Sequence, residues 1–266
     1  MTQLFNTGIL LNLKRLIKKL PIAVTRNQQY DVQTKQIIQQ VCKPGSNSID
    51  VGTHTGDILD LLIQQSPQGV QFGFEPIPAL YKTLKTKYAG NDHVELFDIA
   101  VTNEAGETSF NYVTSNPSYS GIKKRKYDRS KETDTLITVK QNLLDEIILP
   151  FNKKIGFIKI DVEGAEMAVL KGASALIRRD QPVIVFECGL GGTDVYDTTP
   201  EQLYDFFHEH RYHLSLMKDF LQSKSFFSKQ AFAEQYYQKL NYYFVAFPFV
   251  IPTLEGSAGN KNSNPA

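Results

Sequence analysis

The sequence predicts a doubly wound α/β domain built around a mostly parallel, seven-stranded sheet. Compact apolar runs alternate with segments whose apolar residues recur at helical spacing. Short buried strands joined by crossover helices are typical of parallel sheets that carry helices on both faces. The predicted strands are Ser48–Val51, Val70–Phe74, Val94–Ile99, Ile155–Ile160, Val183–Phe186, Tyr212–Met217 and Tyr242–Phe247.

Helical patterns fall between these strands. The segment Thr199-Pro200-Glu201-Gln202 is a capping-box sequence with proline at the first helical position, so a helix should run from there to about His210. Turn residues at Asn103–Gly106 predict a small hairpin within Val101–Val113. The other predicted helices are Asp57–Gln65, Pro78–Tyr88 and Gly164–Arg179.

Composition indicates one globular domain. The chain has 266 residues, of which 41% are hydrophobic and 21% charged, as in ordinary single α/β domains. No apolar run approaches the roughly 20 residues needed to span a bilayer. We expect a helical N-terminal segment over residues 1–46, the α/β domain over 47–252 and a disordered polar tail over 253–266.

Charge and cysteine content restrict the partners and the compartment. A formal charge of +1 gives no field that would gather nucleic acid, so a nucleic-acid partner is not expected. Cys42 and Cys188 are the only cysteines, which provides no disulfide framework and favours the cytoplasm. Residues 10–20 form a basic amphipathic helix, which either docks on the domain or makes weak contact with a membrane surface.

The ends of the first three strands carry a nucleoside-binding pattern. Gly52 lies in a turn between a strand and a helix, where backbone N–H groups are free to bind an anion, although such a turn alone is often only a turn. Glu75 ends the second strand and could accept hydrogen bonds from ribose hydroxyls. Asp98 and Ile99 end the third strand and could meet the adenine edge. The three strand ends would then converge on one ligand.

A longer motif identifies a family. The string Lys159-Ile160-Asp161-Val162-Glu163-Gly164-Ala165-Glu166 resembles the FkbM family of methyltransferases, and the similarity extends from about residue 47 to 248. The resemblance implies a class I, Rossmann-like methyltransferase fold, S-adenosylmethionine as donor, and O-methylation of a hydroxyl on a sugar or secondary metabolite. The supporting motifs are Asp50-Val51-Gly52, Phe74-Glu75-Pro76, Leu144-Asp145, Leu170-Lys171-Gly172 and Pro182–Glu187.

The resemblance also assigns the cofactor residues. It places the methionine part of the cofactor at the loop after the first strand, the ribose at Glu75, and the adenine side at Asp98 and Ile99. His54 departs from the small or amide residue that is more frequent in this loop, and its imidazole could lie near the reacting centre. The loop residues assigned in this way are Asp50, Gly52, Thr53, His54 and Gly56.

Methyl transfer to a hydroxyl requires alignment, exclusion of water and removal of a proton. Asp161 and Glu163 follow a buried strand, so both should lie at the edge of the sheet where ligands bind, and His54 is the competing base. For Glu163 and Glu166 the alternative is a favourable charge at a helix N-terminus. Asp161 and Glu187 could together hold Mg²⁺, although a divalent metal is not favoured because the sequence offers only this pair.

Other functions remain open at this point. A non-catalytic nucleoside-binding module would explain the same strand ends, and an NAD-dependent dehydrogenase is disfavoured because the chain has no G-x-G-x-x-G loop. The acceptor, a small molecule or glycan, should be specified by residues 114–135 and 218–240. Within the first range, Ser118–Gly121 and the basic residues at 123–125 form either a polar lid or a solvated loop.

Overall fold

The computed structural model describes residues 25–125 and 132–250. The predicted helix at residues 10–20 and the predicted tail at 253–266 lie outside the described residues. The helices are α1 (Arg26–Val41), α2 (Asp57–Gln65), α3 (Pro78–Lys87), α4 (Leu144–Ile148), α5 (Glu166–Gly172), α6 (Ser174–Asp180), α7 (Pro200–Glu209), α8 (Met217–Leu221) and α9 (Lys229–Tyr237). The strands are β1 (Asn47–Val51), β2 (Gln71–Phe74), β3 (Val94–Phe97), β4 (Ile99–Val101), β5 (Gly106–Val113), β6 (Asp134–Asn142), β7 (Ile155–Ile160), β8 (Val183–Glu187), β9 (Tyr212–Leu216) and β10 (Tyr243–Pro248).

Seven strands form the main sheet, in the order β3-β2-β1-β7-β8-β10-β9. The first five of these are mutually parallel, and β10 alone runs in the opposite direction, antiparallel to both β8 and β9. All four residues of β2 are buried, as expected of a strand with helices on both faces. The predicted doubly wound, mostly parallel sheet is confirmed. Its strand order reverses at β1 and β7, the place where open α/β sheets bind their ligands.

The predicted hairpin over Val101–Val113 is wrong. Turn residues do separate β4 from β5, but β6 inserts between the two strands and pairs parallel with β4 and antiparallel with β5. The predicted strand Val94–Ile99 is also divided, because Asp98 separates β3 from β4 and Ile99 pairs with Lys140 in the second sheet. Both predictions failed because β6, which is distant in sequence, pairs with β4 and β5. Local turn residues carry no information about such pairing.

The predicted helix Gly164–Arg179 consists of two helices, α5 and α6, which meet at Ala173. Gly172 packs so closely on the turn after β4 that a β-carbon there would overlap the carbonyl oxygen of Thr102.

The predicted capping box is confirmed, because the Thr199 hydroxyl accepts a hydrogen bond from Gln202 N and Gln202 Oε1 accepts one from Thr199 N.

Helix α1 packs against the same sheet. Thr25 begins the helix with a capping box, and Ile37 and Ile38 are buried against a core that includes Phe157 of β7. Tyr30 contacts the ring of Tyr243 at a centroid distance of 5.2 Å. The face of α1 that carries Tyr30, Ile37 and Ile38 fixes the helix beside the carboxyl ends of β1 and β7. Of the helices within 25–125 and 132–250, not one is long and apolar enough to cross a membrane.

We expect Ile38→Ala to destabilise the whole domain, because its side chain is 1% exposed and truncating a buried isoleucine costs about 2 to 5 kcal/mol. Gln39→Ala, at the exposed neighbouring position, is the matched control and should change little. Urea unfolding monitored by circular dichroism measures both. Equal stability of the two variants would mean that α1 does not belong to the cooperative unit.

Candidate active site

Two cavities lie at the carboxyl edge of the main sheet. The first, of about 210 Å³, extends from the ends of β1 and β2 across the second sheet. The other, of about 350 Å³, lies between α1 and the ends of β1 and β7. Gly52, His54 and Asp161 line both cavities. The two spaces therefore adjoin, and one ligand could extend from one into the other.

Gly52 allows the ends of β1 and β7 to approach each other. Its φ is +85°, a left-handed conformation that favours glycine, and a β-carbon at this position would overlap the carbonyl oxygen of Asp161. Asp161 N also donates to Val51 O at 3.1 Å. The close approach that this glycine allows is to the backbone of Asp161.

Other loop residues shape the turn. Thr53 is buried, and its hydroxyl donates to the carbonyl of Asp50 at 2.9 Å. Gly56 has φ +84° and precedes α2, and its carbonyl accepts a hydrogen bond from the Tyr88 hydroxyl at 2.9 Å. The backbone of His54 adopts the left-handed conformation, at φ 50°, although His54 is not a glycine. His54 lines both cavities.

Glu75 lies in the wall of the 210 Å³ cavity, with only 4% of its surface exposed. Its Oε2 accepts a hydrogen bond from His54 N at 2.8 Å and its Oε1 accepts one from Ile77 N at 2.9 Å. Burial raises the pKa of Glu75 to about 7, and the two hydrogen bonds oppose that rise. Each carboxylate oxygen keeps a second lone pair, so Glu75 can still accept hydrogen bonds from a ligand.

The structure separates the two residues predicted for the adenine side. Ile99 lines the cavity beside other apolar side chains, among them Ile77, Val101 and Phe110. Asp98 does not line it, and its carboxylate instead accepts a hydrogen bond from the exposed Lys140 at 3.0 Å. The reason is that the chain leaves the main sheet at Asp98 to begin β4.

Asp161 and Glu163 lie together in the first cavity, as predicted, and Glu187 is close to both. Asp161 Oδ2 accepts hydrogen bonds from Lys159 Nζ at 2.8 Å and from the Tyr243 hydroxyl at 2.5 Å. Burial would raise the pKa of Asp161, but Lys159, together with hydrogen bonds from Lys159, Tyr243 and Glu187, holds that pKa below its ordinary value. Asp161 therefore stays ionised.

Glu163 has the opposite electrostatics. Burial, and then the negative charge of Asp161, raise the pKa of Glu163 to about 8, while Arg125 opposes the rise. Arg125 Nη2 lies 2.6 Å from Glu163 Oε2. The pKa of Glu187 is also raised well above its ordinary value, by burial and then by Asp161. One ionised and two readily protonated carboxyl groups thus lie at this edge.

Glu166 holds the turn that presents Glu163. It is the first residue of α5 and is fully buried. Its Oε1 accepts hydrogen bonds from Val162 N and Gly164 N, each at 3.2 Å. Glu166 therefore binds N–H groups at the start of a helix, at the helix N-terminus where a favourable negative charge was the alternative expected for it.

Sequence reasoning missed three residues of the site, and it named Arg125 only as part of a candidate polar lid. Arg125 comes from the loop after β5 and pairs with Glu163, whereas Asp31 comes from α1, at a position that carries no local signal. Lys159 belongs to the recognised string, and its place in an otherwise apolar strand could have shown that it needs a buried partner. Tyr243 resembles any aromatic strand residue until β10 is placed beside β8.

Comparison with known proteins identifies a family. The family model described as Methyltransferase FkbM domain matches residues 50–214. Comparison with curated protein sequences gave no match. Similar solved structures include methyltransferase FkbM from Methylobacillus flagellatus KT (15% identity, 77% of this chain and 44% of that one, TM-score 0.48), precorrin-6y C5,15-methyltransferase from Geobacter metallireducens GS-15 (12%, 86% and 93%, 0.43) and an rRNA methylase from Streptococcus thermophilus (9%, 81% and 93%, 0.42). This chain thus spans 44% of the length of the Methylobacillus flagellatus protein.

We expect the acidic cluster to bind divalent cations weakly. Ligand atoms of Asp161, Glu163 and Glu187 lie within 4.8 Å of one another, but Lys159 and Arg125 already pair with two of these carboxyl groups. A cation would have to compete with both. The Tm should be the same in EDTA and in excess Mg²⁺, and methyl transfer, once an acceptor is known, should survive EDTA. A lower Tm or a loss of methyl transfer in EDTA would identify a metal site if Mg²⁺ reverses the effect in the wild type but not in Glu187→Gln.

Proposed function

Because the chain belongs to the FkbM family of methyltransferases, we propose that it transfers a methyl group from S-adenosylmethionine to a hydroxyl group of a sugar or secondary metabolite. One observation carries the proposal. A single cavity is lined by a buried carboxylate beside apolar side chains, as a nucleoside requires, and also by two acids that could accept a proton, Asp161 and Glu163.

The cavity walls fit the nucleoside part of the donor. Glu75 has lone pairs left for two ribose hydroxyls, and Ile77 and Ile99 provide an apolar surface for a flat base. When bound, S-adenosylmethionine supplies an electrophilic methyl group on a sulfonium. Asp98, which pairs with Lys140 outside the cavity, is left out of this proposed site.

Within the site we assign proton removal to Glu163. Asp161 accepts hydrogen bonds from Lys159 and Tyr243 at its Oδ2, and its pKa lies below the ordinary value, so it stays ionised and is a weak base. Glu163, with its pKa raised to about 8, is a stronger base once ionised and still faces the cavity. His54 remains the competing base because its ring also lines the cavity, with Nε2 3.4 Å from the Ser118 hydroxyl.

The acceptor side of the cavity favours a small hydroxylated molecule or a glycan. Ser118 and Ser120, from the loop after β5, line it together with Pro117 and Ile122. Hydroxyls and small apolar groups suit a polyol or sugar ring better than a charged substrate. A formal charge of +1 disfavours nucleic acid as the acceptor. A cytoplasmic location and membrane contact through residues 10–20 stay predictions.

The donor site is tested by calorimetry with S-adenosylhomocysteine. Glu75→Ala should weaken binding by roughly 1 to 3 kcal/mol, because a buried ribose would lose its acceptor. Glu95→Gln removes an exposed acid from β3 and should leave the affinity unchanged. Unaltered affinity in a folded Glu75→Ala protein would remove the central assignment.

Proton removal is tested by single-turnover rates with saturating donor, once an acceptor has been found by screening sugars and polyols. Glu163→Gln should slow transfer by roughly 10²- to 10⁴-fold if it deletes a general base. The wild-type rate should rise as the pH passes through about 8, because Glu163 must lose its proton to act, and Glu163→Gln should lose this rise.

Two further variants identify the base. Asp161→Asn should reduce the rate through altered charge without abolishing the pH-dependent rise, whereas His54→Gln should stay within a few-fold of wild type. If the single-turnover rate of His54→Gln falls by orders of magnitude while Asp161→Asn and Glu163→Gln remain active, the loop histidine is the base. Tight S-adenosylhomocysteine binding without transfer to any acceptor would instead favour a non-catalytic nucleoside-binding module.

A further inference from the structure

An ion pair joins the loop after β5 to the proposed base. Nη2 of Arg125 lies 2.6 Å from Oε2 of Glu163, and the two side chains are only 17% and 15% exposed. Ion pairs on a protein surface contribute little, because water and salt screen them. This pair is largely shielded from water, so its charges interact more strongly than those of a surface pair. Arg125 therefore constrains the carboxylate of Glu163.

The surroundings of Arg125 hold its guanidinium in place. The guanidinium carbon lies 4.7 Å from the ring centre of Tyr119, which is a cation–π contact. Gly121 pairs with β5 through two backbone hydrogen bonds, of 2.8 and 3.2 Å. Lys123 N donates to the Tyr196 hydroxyl at 2.8 Å, which ties the same segment to the loop after β8. The backbone is thus fixed at two points shortly before Arg125, whose guanidinium contacts both an aromatic ring and the proposed base.

The same loop forms the acceptor side of the 210 Å³ cavity. Ser118, Ser120 and Ile122 line this cavity, and the Ser118 hydroxyl lies 3.4 Å from Nε2 of His54. The residues that would contact an acceptor and the residue that pairs with Glu163 therefore belong to one short segment of the chain.

Glu163 lies among groups that make its ionisation difficult. The charged and titratable groups that face it are Arg125, Lys159 of β7, Asp161 directly after β7, Glu166 of α5, Glu187 of β8, Tyr196 of the loop after β8 and Tyr243 of β10. Burial, and then the charge of Asp161, raise the pKa of Glu163 to about 8, and Glu166 adds to the rise. Arg125 opposes the rise more strongly than Lys159, whose ammonium already donates to Asp161 at 2.8 Å. Since a base accepts a proton only when it is ionised, loss of the Arg125 charge would keep Glu163 protonated up to a higher pH.

We infer that Arg125 is a positioning residue for methyl transfer, whose guanidinium holds the side chain of Glu163 as a carboxylate at the cavity wall. The inference rests on the proposed function, since it takes Glu163 as the base. Arg125 acts through Glu163 and needs no contact with the acceptor. Because its loop also supplies Ser118 and Ser120, an acceptor that fits against this loop meets a base that the same loop has prepared.

An NMR titration of ¹³C-labelled glutamate carboxyl groups tests the inference without an acceptor. In EDTA, the wild-type Glu163 signal, identified by its loss in Glu163→Gln, should titrate at about pH 8. Arg125→Gln and Arg125→Met both remove the charge, so each should raise the Glu163 midpoint by about 1 to 3 pH units, the effect typical of an adjacent opposite charge. Arg125→Lys keeps the charge and should restore most of the wild-type midpoint. Lys140→Gln, which removes an exposed cation that pairs with Asp98, is the matched control and should leave the midpoint unchanged.

The rate of methyl transfer gives a second measurement. In Arg125→Gln, the pH at which the single-turnover rate rises should move upward with the NMR midpoint, and Arg125→Lys should return it. At pH 7 the rate should fall about tenfold for each pH unit by which the midpoint rises, because the ionised fraction falls by that factor. The affinity for S-adenosylhomocysteine should stay unchanged, which shows that the variants are folded, since Arg125 is not among the described residues that line the cavity.

The outcomes separate this inference from the proposed function. An unchanged Glu163 midpoint in both neutral variants would show that the positioning role is wrong, while S-adenosylhomocysteine binding by wild type would leave the donor assignment standing. A raised midpoint with an unmoved rate profile would also overturn the inference, because Glu163 would then not be the base. If wild type binds no S-adenosylhomocysteine, the proposed function fails and the inference falls with it.

Discussion

The parallel pairing of β1 with β7 brings Gly52 against the carbonyl of Asp161, where no side chain could fit. This packing fixes the distance between the loop after the first strand and the acids after the fourth strand of the main sheet. One cavity lies on each side of that junction, and Gly52 and Asp161 line both. Because the junction is made of backbone, the site depends on an approach that only glycine permits at position 52.

The pKa values of Asp161 and Glu163 are shifted in opposite directions because the hydrogen-bond donors at this edge are unequally distributed. Asp161 accepts hydrogen bonds from Lys159 and Tyr243, which offset its loss of hydration, and its pKa lies below the ordinary value. Glu163 faces Arg125 but also the charge of Asp161, and its pKa is high. One acid thus holds neighbouring side chains as a carboxylate, and the other, although it pairs with Arg125, has a pKa of about 8 and can exchange a proton near that pH.

The sequence alone could predict what depends on local pattern. Buried strands, the capping box at Thr199 and the strand-end positions of Glu75 and Asp161 follow from periodicity and from residues near in sequence. What it could not predict depends on which distant segments meet. The pairing of β6 with β4 decides that Asp98 leaves the cavity, and the placement of β10 brings Tyr243 to Asp161. Neither event has a signature within a short window.

Two left-handed residues that are not glycine, His54 and Glu163, line the first cavity at φ 50° and 60°. Such conformations cost about 1 to 3 kcal/mol and persist only where surrounding contacts enforce them. Glu75 binds the N–H of His54, and Glu166 binds the N–H groups on either side of Glu163. A buried acid therefore fixes each strained residue. The Glu163–Glu166 spacing then has a physical meaning: one carboxylate fixes the turn so that the other can face the cavity, and a single residue could not do both.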